Sequence, residues 1–101
     1  TLDFIRYVTE QITFFEHVRY QKMFGEYMIY VNEKPVLLVC DNSVFVKKIP
    51  EVAEFMKDAD CGFPYSGAKE HYVLDIDDAE LVRNVVKTLV NTLPSKAAKK
   101  K

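Results

Sequence analysis

The sequence predicts an α+β fold with two layers, in which an antiparallel sheet is flanked by helices from both ends of the chain. Apolar residues recur at helical spacing near the two ends, whereas the middle of the chain holds short, strand-like segments. The connections between neighbouring strands are only a few residues long, too short for a crossover, so these strands must run antiparallel. The predicted element order is α-β-β-β-α-β(-β)-α.

Length and composition indicate one globular domain, residues 1–94, followed by a lysine-rich polar tail, residues 95–101. The chain has 101 residues, of which 49% are hydrophobic and 29% charged, enough apolar material for one core. The formal net charge of −1 provides no overall field for nucleic acid or an anionic membrane. The longest apolar run, Val36 to Cys40, is too short to span a bilayer, so no membrane partner is predicted.

The first helix is predicted from Phe4 to Val18. Its main apolar stripe consists of Phe4, Ile5, Val8, Ile12 and Phe15. A second stripe beside it consists of Tyr7, Phe14 and Val18. Together the stripes cover more of the helix than a single contact needs. Two interpretations stay open: the second stripe packs on another element of the same domain, or it forms a subunit interface.

Three strands follow as a meander, predicted at Tyr27–Val31, Val36–Cys40 and Val44–Lys47. Turns are expected at residues 32–35 and 41–43, which are rich in Asn, Asp and Ser. If the sheet turns one face toward the helices, the opposite face carries Met28, Tyr30, Phe45 and Val73. An exposed apolar face of this kind is a candidate interface; the alternative is that the short helix or the following loop covers it.

The second half of the chain is predicted as helix, loop, strand and helix. Pro50 suits the first turn of a short helix, and Asp58–Lys69 reads as a loop or as a loop with one short irregular strand. Glu70–Ile76 is predicted as a strand. Asp77 is expected to cap the last helix, which Pro94 ends. Its apolar stripe consists of Leu81, Val82, Val85, Val86, Leu89 and Leu93.

One motif lies between the first predicted helix and the first predicted strand. It reads Lys22-Met23-Phe24-Gly25-Glu26-Tyr27, and Gly25 is expected to adopt a positive φ in a tight bend. The motif resembles the Met-Phe-Gly-x-Tyr segment of the N-terminal domain in the TfoX/Sxy family of bacterial competence regulators. Further positions that resemble this family follow in order: Tyr30, Asp41, Lys47, Tyr65, Gly67, Lys69 and Tyr72.

The resemblance implies a fold similar to that of secretion chaperones and a role in regulating transcription. Members of the family promote transcription of competence genes together with a cyclic-AMP-dependent activator. Full-length regulators carry a second, C-terminal domain, and this chain departs from them because it ends at Lys101. A single-domain relative is therefore expected, and the resemblance carries over no catalytic residues.

Candidate catalytic and metal-binding groups are few. Cys61 with His71 or His17 could form a thiol–imidazole pair, but no nucleophile turn surrounds the cysteine. Cys40 and Cys61 together with the two histidines match no zinc spacing. No catalytic residue, metal or cofactor is therefore predicted. The two cysteines favour a reducing, cytoplasmic setting over a disulfide.

The predicted function is therefore a non-catalytic protein-interaction module, expected to form a homodimer through its open sheet face, its short helix or the second stripe of the first helix. The alternative is weak, non-specific nucleic-acid binding through a lysine and tyrosine cluster or through the tail. The cluster consists of Lys22, Lys47, Lys69, Tyr30 and Tyr65. A small enzyme of unknown type is the third interpretation.

Overall fold

The computed structural model describes residues 2–23 and 25–94 and contains three helices and six strands within them. The order along the chain is α1 (Leu2–Glu10), β1 (Val18–Met23), β2 (Glu26–Val31), β3 (Lys34–Cys40), β4 (Ser43–Lys47), α2 (Pro50–Ala53), β5 (Cys61–Gly62), β6 (His71–Val73) and α3 (Ala79–Thr92). The six strands form one sheet in the order β1-β2-β3-β4-β6-β5, and all neighbours are antiparallel. The predicted fold class is confirmed.

The core lies between one face of the sheet and the three helices. Helical residues such as Ile5, Val52 and Val85 belong to the same buried cluster as the sheet residues Ile29 and Val44. Successive side chains of a strand alternate between faces, so the other face of the sheet is left without a helical layer. No side chain of a polar or charged residue is buried in the part of the chain that the structure describes. Burial of apolar area is therefore what holds the two layers together.

The first helix is shorter than predicted, and β1 was missed. The prediction of a helix to Val18 is wrong because α1 ends at Glu10 and Val18 begins β1. Tight turns with i→i−3 hydrogen bonds follow α1, including Phe15 N–H to Ile12 C=O at 3.1 Å. These turns keep Ile12 fully buried, four residues after the buried Val8, so the apolar pattern of the sequence resembles that of a longer helix. The turns end at His17, whose φ of 57° redirects the chain into β1.

The two hairpins of the meander close more tightly than predicted. Val31 pairs with Lys34 and Cys40 pairs with Ser43, so each loop has only two residues. Asn32 and Glu33 both have positive φ, as do the two loop residues Asp41 and Asn42. This is the type I′ geometry that matches the twist of the flanking strands. Residues 34 and 35, which were expected in the turn, belong to β3 instead.

Gly25 has a φ of 84°, which confirms the predicted positive value. Its setting differs from the prediction, because the missed strand places it in the hairpin between β1 and β2. A Cβ atom added at Gly25 would have no other residue's heavy atom within 4 Å, apart from its two chain neighbours. The requirement for glycine here is therefore one of backbone conformation rather than of space.

The last helix is capped by Asp78, not by Asp77 as predicted. The carboxylate of Asp78 accepts from the backbone N–H of Leu81 at 3.1 Å. The helix ends before Pro94, as expected, and Lys34 donates to the carbonyl of Val90 in its last turns. The long loop contains one short strand, β5, which is the second of the two alternatives that the sequence left open.

Candidate protein-interaction surfaces

A concave surface of about 710 Å³ lies between the end of α2, the exit of β6 and the start of α3. Its lining residues are Glu54, Phe55, Lys57, Asp58, Ala59, Asp60, Val73, Leu74, Asp75, Asp78 and Leu81. Leu74 is buried and forms part of the floor, while Phe55 is 41% exposed at the rim. The turns that follow α2 bring the acidic segment 58–60 opposite the acidic segment 75–78, because Asp60 accepts a backbone hydrogen bond from Val73 at 2.8 Å. We call this surface the acidic cleft.

The acidic cleft carries five carboxylates against one ammonium group. Lys57 is already paired with Glu54 at 3.7 Å, and the Asp78 carboxylate caps α3. Asp58, Asp60 and Asp75 are exposed and supply most of the remaining negative charge. A concave site with an apolar floor and a rim of one sign of charge attracts a ligand of the opposite sign. The chemistry of the cleft thus fits a basic segment with apolar side chains.

One side chain ties α1 to the start of α3. The hydroxyl of Tyr7 donates to the carboxylate of Asp77. This hydrogen bond, together with the negative charges of Asp77 and Asp75, raises the pKa of Tyr7 above its ordinary value. Tyr7 still exposes 40% of its surface, so the predicted interface residue is both anchored and accessible. Asp77, expected to cap the helix, serves this contact instead.

A second polar group lies at the edge formed by β5 and β6. Lys48 donates to Glu70 at 2.7 Å and lies 5.2 Å from the ring centroid of Tyr72. Hydrogen bonds to Glu70 and to Cys61 raise the pKa of Lys48. Cys61 pairs with Tyr72 across the two strands. These contacts keep the Lys48 ammonium charged and pair it with the carboxylate of Glu70.

The two cysteines are free thiols in different surroundings. Cys61 is exposed, whereas Cys40 is half-buried and its Sγ lies 2.9 Å from the carbonyl oxygen of Pro64. Burial, with smaller contributions from Asp41 and Glu26, raises the pKa of Cys40. The contact holds the 63–69 loop against the end of β3.

The candidate thiol–imidazole pairs are not brought together. Cys61 pairs with Tyr72, whose neighbour His71 points to the opposite face of the sheet. His17 precedes β1, at the other edge of the sheet from β5 and about 24 Å away across five strand spacings. Among residues 2–23 and 25–94, no three acidic, cysteine or histidine side chains are grouped so that they could hold a metal ion.

The sheet face opposite the helices carries the side chains that were predicted to point outward. Cross-strand pairing aligns Gln21, Met28, Leu38, Phe45 and Val73 in one row across the sheet. Tyr30 and Phe45 nevertheless expose only 7% and 8% of their surface, because neighbours on the same face cover them. Arg19 lies 4.1 Å from the centroid of the Tyr30 ring, and a Cβ at Gly62 would touch Phe45 at 3.3 Å. The face is apolar but offers little free area at these two rings.

The remaining predicted interface residues are more accessible. Phe14 is 49% exposed, stacks on Phe15 and lies beneath the guanidinium of Arg83 at 5.0 Å. Val18 is half-buried and belongs to β1 rather than to a helix. Met28 is half-buried in the outward row.

The residues that resemble the family motif do not form one site. Lys22 and Met23 end β1, Tyr27 packs against the core, and Lys47 and Tyr72 lie on β4 and β6. The loop residues Tyr65, Gly67 and Lys69 precede β6, where Gly67 has a φ of 87°. Lys22 is therefore separated from Lys47 and Lys69 by most of the width of the sheet. The described residues do not gather the predicted lysine cluster; Phe24 and the lysine tail lie outside them.

Sequence reasoning missed the acidic cleft. Asp77 was interpreted only as a helix cap, and the acidic residues beside it were not connected with those near α2. A usable signal was present, because acidic residues concentrate in the two segments 51–60 and 75–80, which flank the β5–β6 region. The net charge of −1 concealed this concentration, since it averages over the whole chain.

No helix in the described ranges has the length and apolar content needed to cross a membrane. The model of the TfoX N-terminal domain family matches residues 10–90 of the chain. A protein described as an uncharacterised 12.7 kDa protein in the trpE 5′ region of Spirochaeta aurantia is 35% identical over 85 residues, covering 82% of this chain and 74% of that protein. No solved structure matches the chain.

Proposed function

We propose, from the premise that this chain belongs to the TfoX N-terminal domain family, that it is a non-catalytic, cytoplasmic protein-interaction module. Its binding surface is the acidic cleft, and its partner presents a basic segment with apolar side chains. The observation that carries the proposal is the cleft itself, with exposed carboxylates around an apolar floor and the accessible ring of Phe55.

The proposal of a regulatory role in transcription is supported by the family rather than by the cleft. Members of this family act on competence genes together with a transcriptional activator, so the partner we propose belongs to the transcription apparatus. The cleft adds a chemical description of what that partner must offer. A protein with lysine or arginine beside an aromatic or aliphatic residue could place the charges on the rim and the apolar group on Leu74 and Leu81.

Catalysis has little support from the arrangement of the side chains. Cys61 and the two histidines lie on opposite faces or opposite edges of the sheet, and no cysteine, serine, threonine or histidine lines the cleft. Nucleic acid is a poor fit for the cleft, because its carboxylates would repel phosphates. We also propose that the domain is a homodimer, as the accessible apolar side chains outside the cleft suggest.

The cleft is tested by measuring the affinity of a fluorescent peptide rich in lysine and aromatic residues. The triple variant Asp58→Asn, Asp60→Asn, Asp75→Asn removes three exposed charges but keeps the Asp78 cap. Asparagine at position 75 also keeps an oxygen that can accept from the backbone N–H of Asp77, as Asp75 does. We expect its affinity to fall by about tenfold, which corresponds to about 1.4 kcal/mol. Binding to the wild type should also weaken as salt is added, because exposed charges are screened.

The matched control is Asp3→Asn, Glu16→Gln, Asp41→Asn, which removes the same net charge from exposed positions outside the cleft. It should bind the peptide about as well as the wild type. Equal loss in both variants would show that only net charge matters, and no loss in the cleft variant would remove the cleft from the proposal.

A further inference from the structure

The free edge of the sheet at β1 is a second surface with a definite chemistry. β1 is the first strand in the sheet order, so in the described part of the chain only β2 pairs with it. The strand has six residues, and Tyr20, Gln21 and Lys22 are exposed, with Tyr20 at 41%. An edge strand of this length presents a row of backbone N–H and C=O groups that can pair with another strand.

The alternation of hydrogen bonds in the β1–β2 hairpin shows which backbone groups of β1 point away from β2. Asn32 N–H donates to His17 C=O at 3.2 Å, so these two residues occupy a hydrogen-bonded position that continues the β1–β2 ladder. Such pairs recur at every second residue of an antiparallel ladder. Arg19 and its alternate neighbours therefore direct their backbone groups to β2. The backbone groups of Val18, Tyr20 and Lys22 point to the open edge.

Val18 and Lys22 lie two residues before and two residues after Tyr20. The edge of one copy can therefore pair with the same edge of a second copy. An antiparallel second copy of β1, related by a two-fold axis at Tyr20, places Tyr20 opposite Tyr20 and Val18 opposite Lys22. Each of the three pairs exchanges two hydrogen bonds, so about six would form across the edge. A two-fold axis perpendicular to the sheet also keeps the helices of both copies on the same side.

The side chains agree with this register. Lys22 faces Val18 of the other copy and Arg19 faces Gln21, so no two like charges are directly opposed. The Tyr20 ring already packs edge-on against Tyr27, with centroids 5.8 Å apart. Pairing would place the two Tyr20 rings side by side and bury surface that one copy leaves exposed. His17, which precedes the strand and has a φ of 57°, turns the chain away and ends the contact there.

We infer that two copies of this chain associate through β1, in the register that places Tyr20 opposite Tyr20, and so join their sheets into one. The inference rests on the proposed homodimer and assigns it a surface. A strand pair of this length is a small interface, of the class below about 1,200 Å² that forms weak or transient complexes. Reversible dimerisation at micromolar concentrations is therefore expected.

The register is tested by cross-linking in a Cys61→Ser background, which removes the exposed thiol. Tyr20→Cys should cross-link to itself with a short bifunctional thiol reagent, because paired Cα atoms lie about 5.5 Å apart. Val18→Cys and Lys22→Cys should each fail alone, since their own copies lie about 13 Å apart along the strand. A mixture of the two should give the heterodimer. Thermal melts confirm that every variant is folded.

Sedimentation of the wild type separates the possible failures. A dimer whose Tyr20→Cys variant does not cross-link, or whose Lys22→Cys variant cross-links equally well alone, would overturn the β1 register while leaving a homodimer in place. A monomer at every concentration up to high micromolar would overturn both. Neither result bears on the acidic cleft, whose peptide affinity is measured separately.

Discussion

At the scale of single residues, the surroundings of two titratable side chains differ from those of ordinary surface groups. Tyr7 donates to Asp77, which lies 70 positions away in the chain, and Cys40 contacts the carbonyl of Pro64. Each contact links segments that are far apart in sequence, so neither could be predicted from local pattern. The hydrogen bond to Asp77 raises the pKa of Tyr7, and burial raises the pKa of Cys40, so both surroundings can be measured.

The titration of Tyr7 should reflect its contact with Asp77. Because the neutral hydroxyl donates to a carboxylate, the pKa of Tyr7 lies above the ordinary value of 10.0. The contact therefore stabilises the fold fully below pH 10, and that contribution is lost as the pH rises through the higher folded pKa. NMR of ¹³C-labelled tyrosine should show the Tyr7 ring titrating above its ordinary value. Asp77→Asn should lower the pKa of Tyr7, while Asp3→Asn should not.

The two thiols should react at different rates. Cys61 is exposed, whereas Cys40 is half-buried and its pKa is raised by burial. The thiolate is the nucleophile, so a buried thiol with a raised pKa reacts slowly. Alkylation with iodoacetamide at pH 8, followed by peptide mass spectrometry, should show Cys61 modified first. Faster modification of Cys40 would mean that the 63–69 loop does not hold against β3 as described.

At the scale of elements, the β1–β2 hairpin depends on one backbone conformation. Gly25 has a φ of 84°, which a β-branched residue can hardly adopt. We expect Gly25→Val to lower the free energy of unfolding by about 1–3 kcal/mol, and Gly25→Asn to cost less because asparagine tolerates this region. Chemical denaturation of the three proteins measures both changes. Equal stability of the valine variant would contradict the geometry.

The same scale shows what the sequence could and could not predict. Strands β2, β3 and β4 and helix α3 follow from apolar periodicity and turn residues, because each pattern is local. Strand β1 was missed because Ile12, Phe15 and Val18 continue the apolar spacing of α1, although tight turns rather than a helix place them. Asp77 and Asp78 are adjacent aspartates, so the sequence alone does not show which of them caps α3. The path of the chain before the helix directs Asp78 to the N–H of Leu81 and Asp77 to Tyr7.

At the scale of the whole molecule, the distribution of charge matters more than its sum. The chain carries 15 acidic and 14 basic residues, yet the acidic cleft is lined by five carboxylates and one ammonium group. The cleft could not be predicted from the sequence, because it needs the fold to bring the end of α2 against the start of α3. The β1 edge lies across the sheet from β5 and β6, so the proposed self-association and the proposed binding of a basic partner use different sides of the sheet.

Binding of a protein partner in the acidic cleft is tested most directly by affinity capture from the native cell, followed by quantitative mass spectrometry. Three proteins are compared: the wild type, the cleft variant Asp58→Asn, Asp60→Asn, Asp75→Asn and the control Asp3→Asn, Glu16→Gln, Asp41→Asn. We expect at least one protein with a basic, apolar segment to be captured by the wild type and the control and to be lost from the cleft variant. Capture of the same proteins in equal amounts by all three would contradict it.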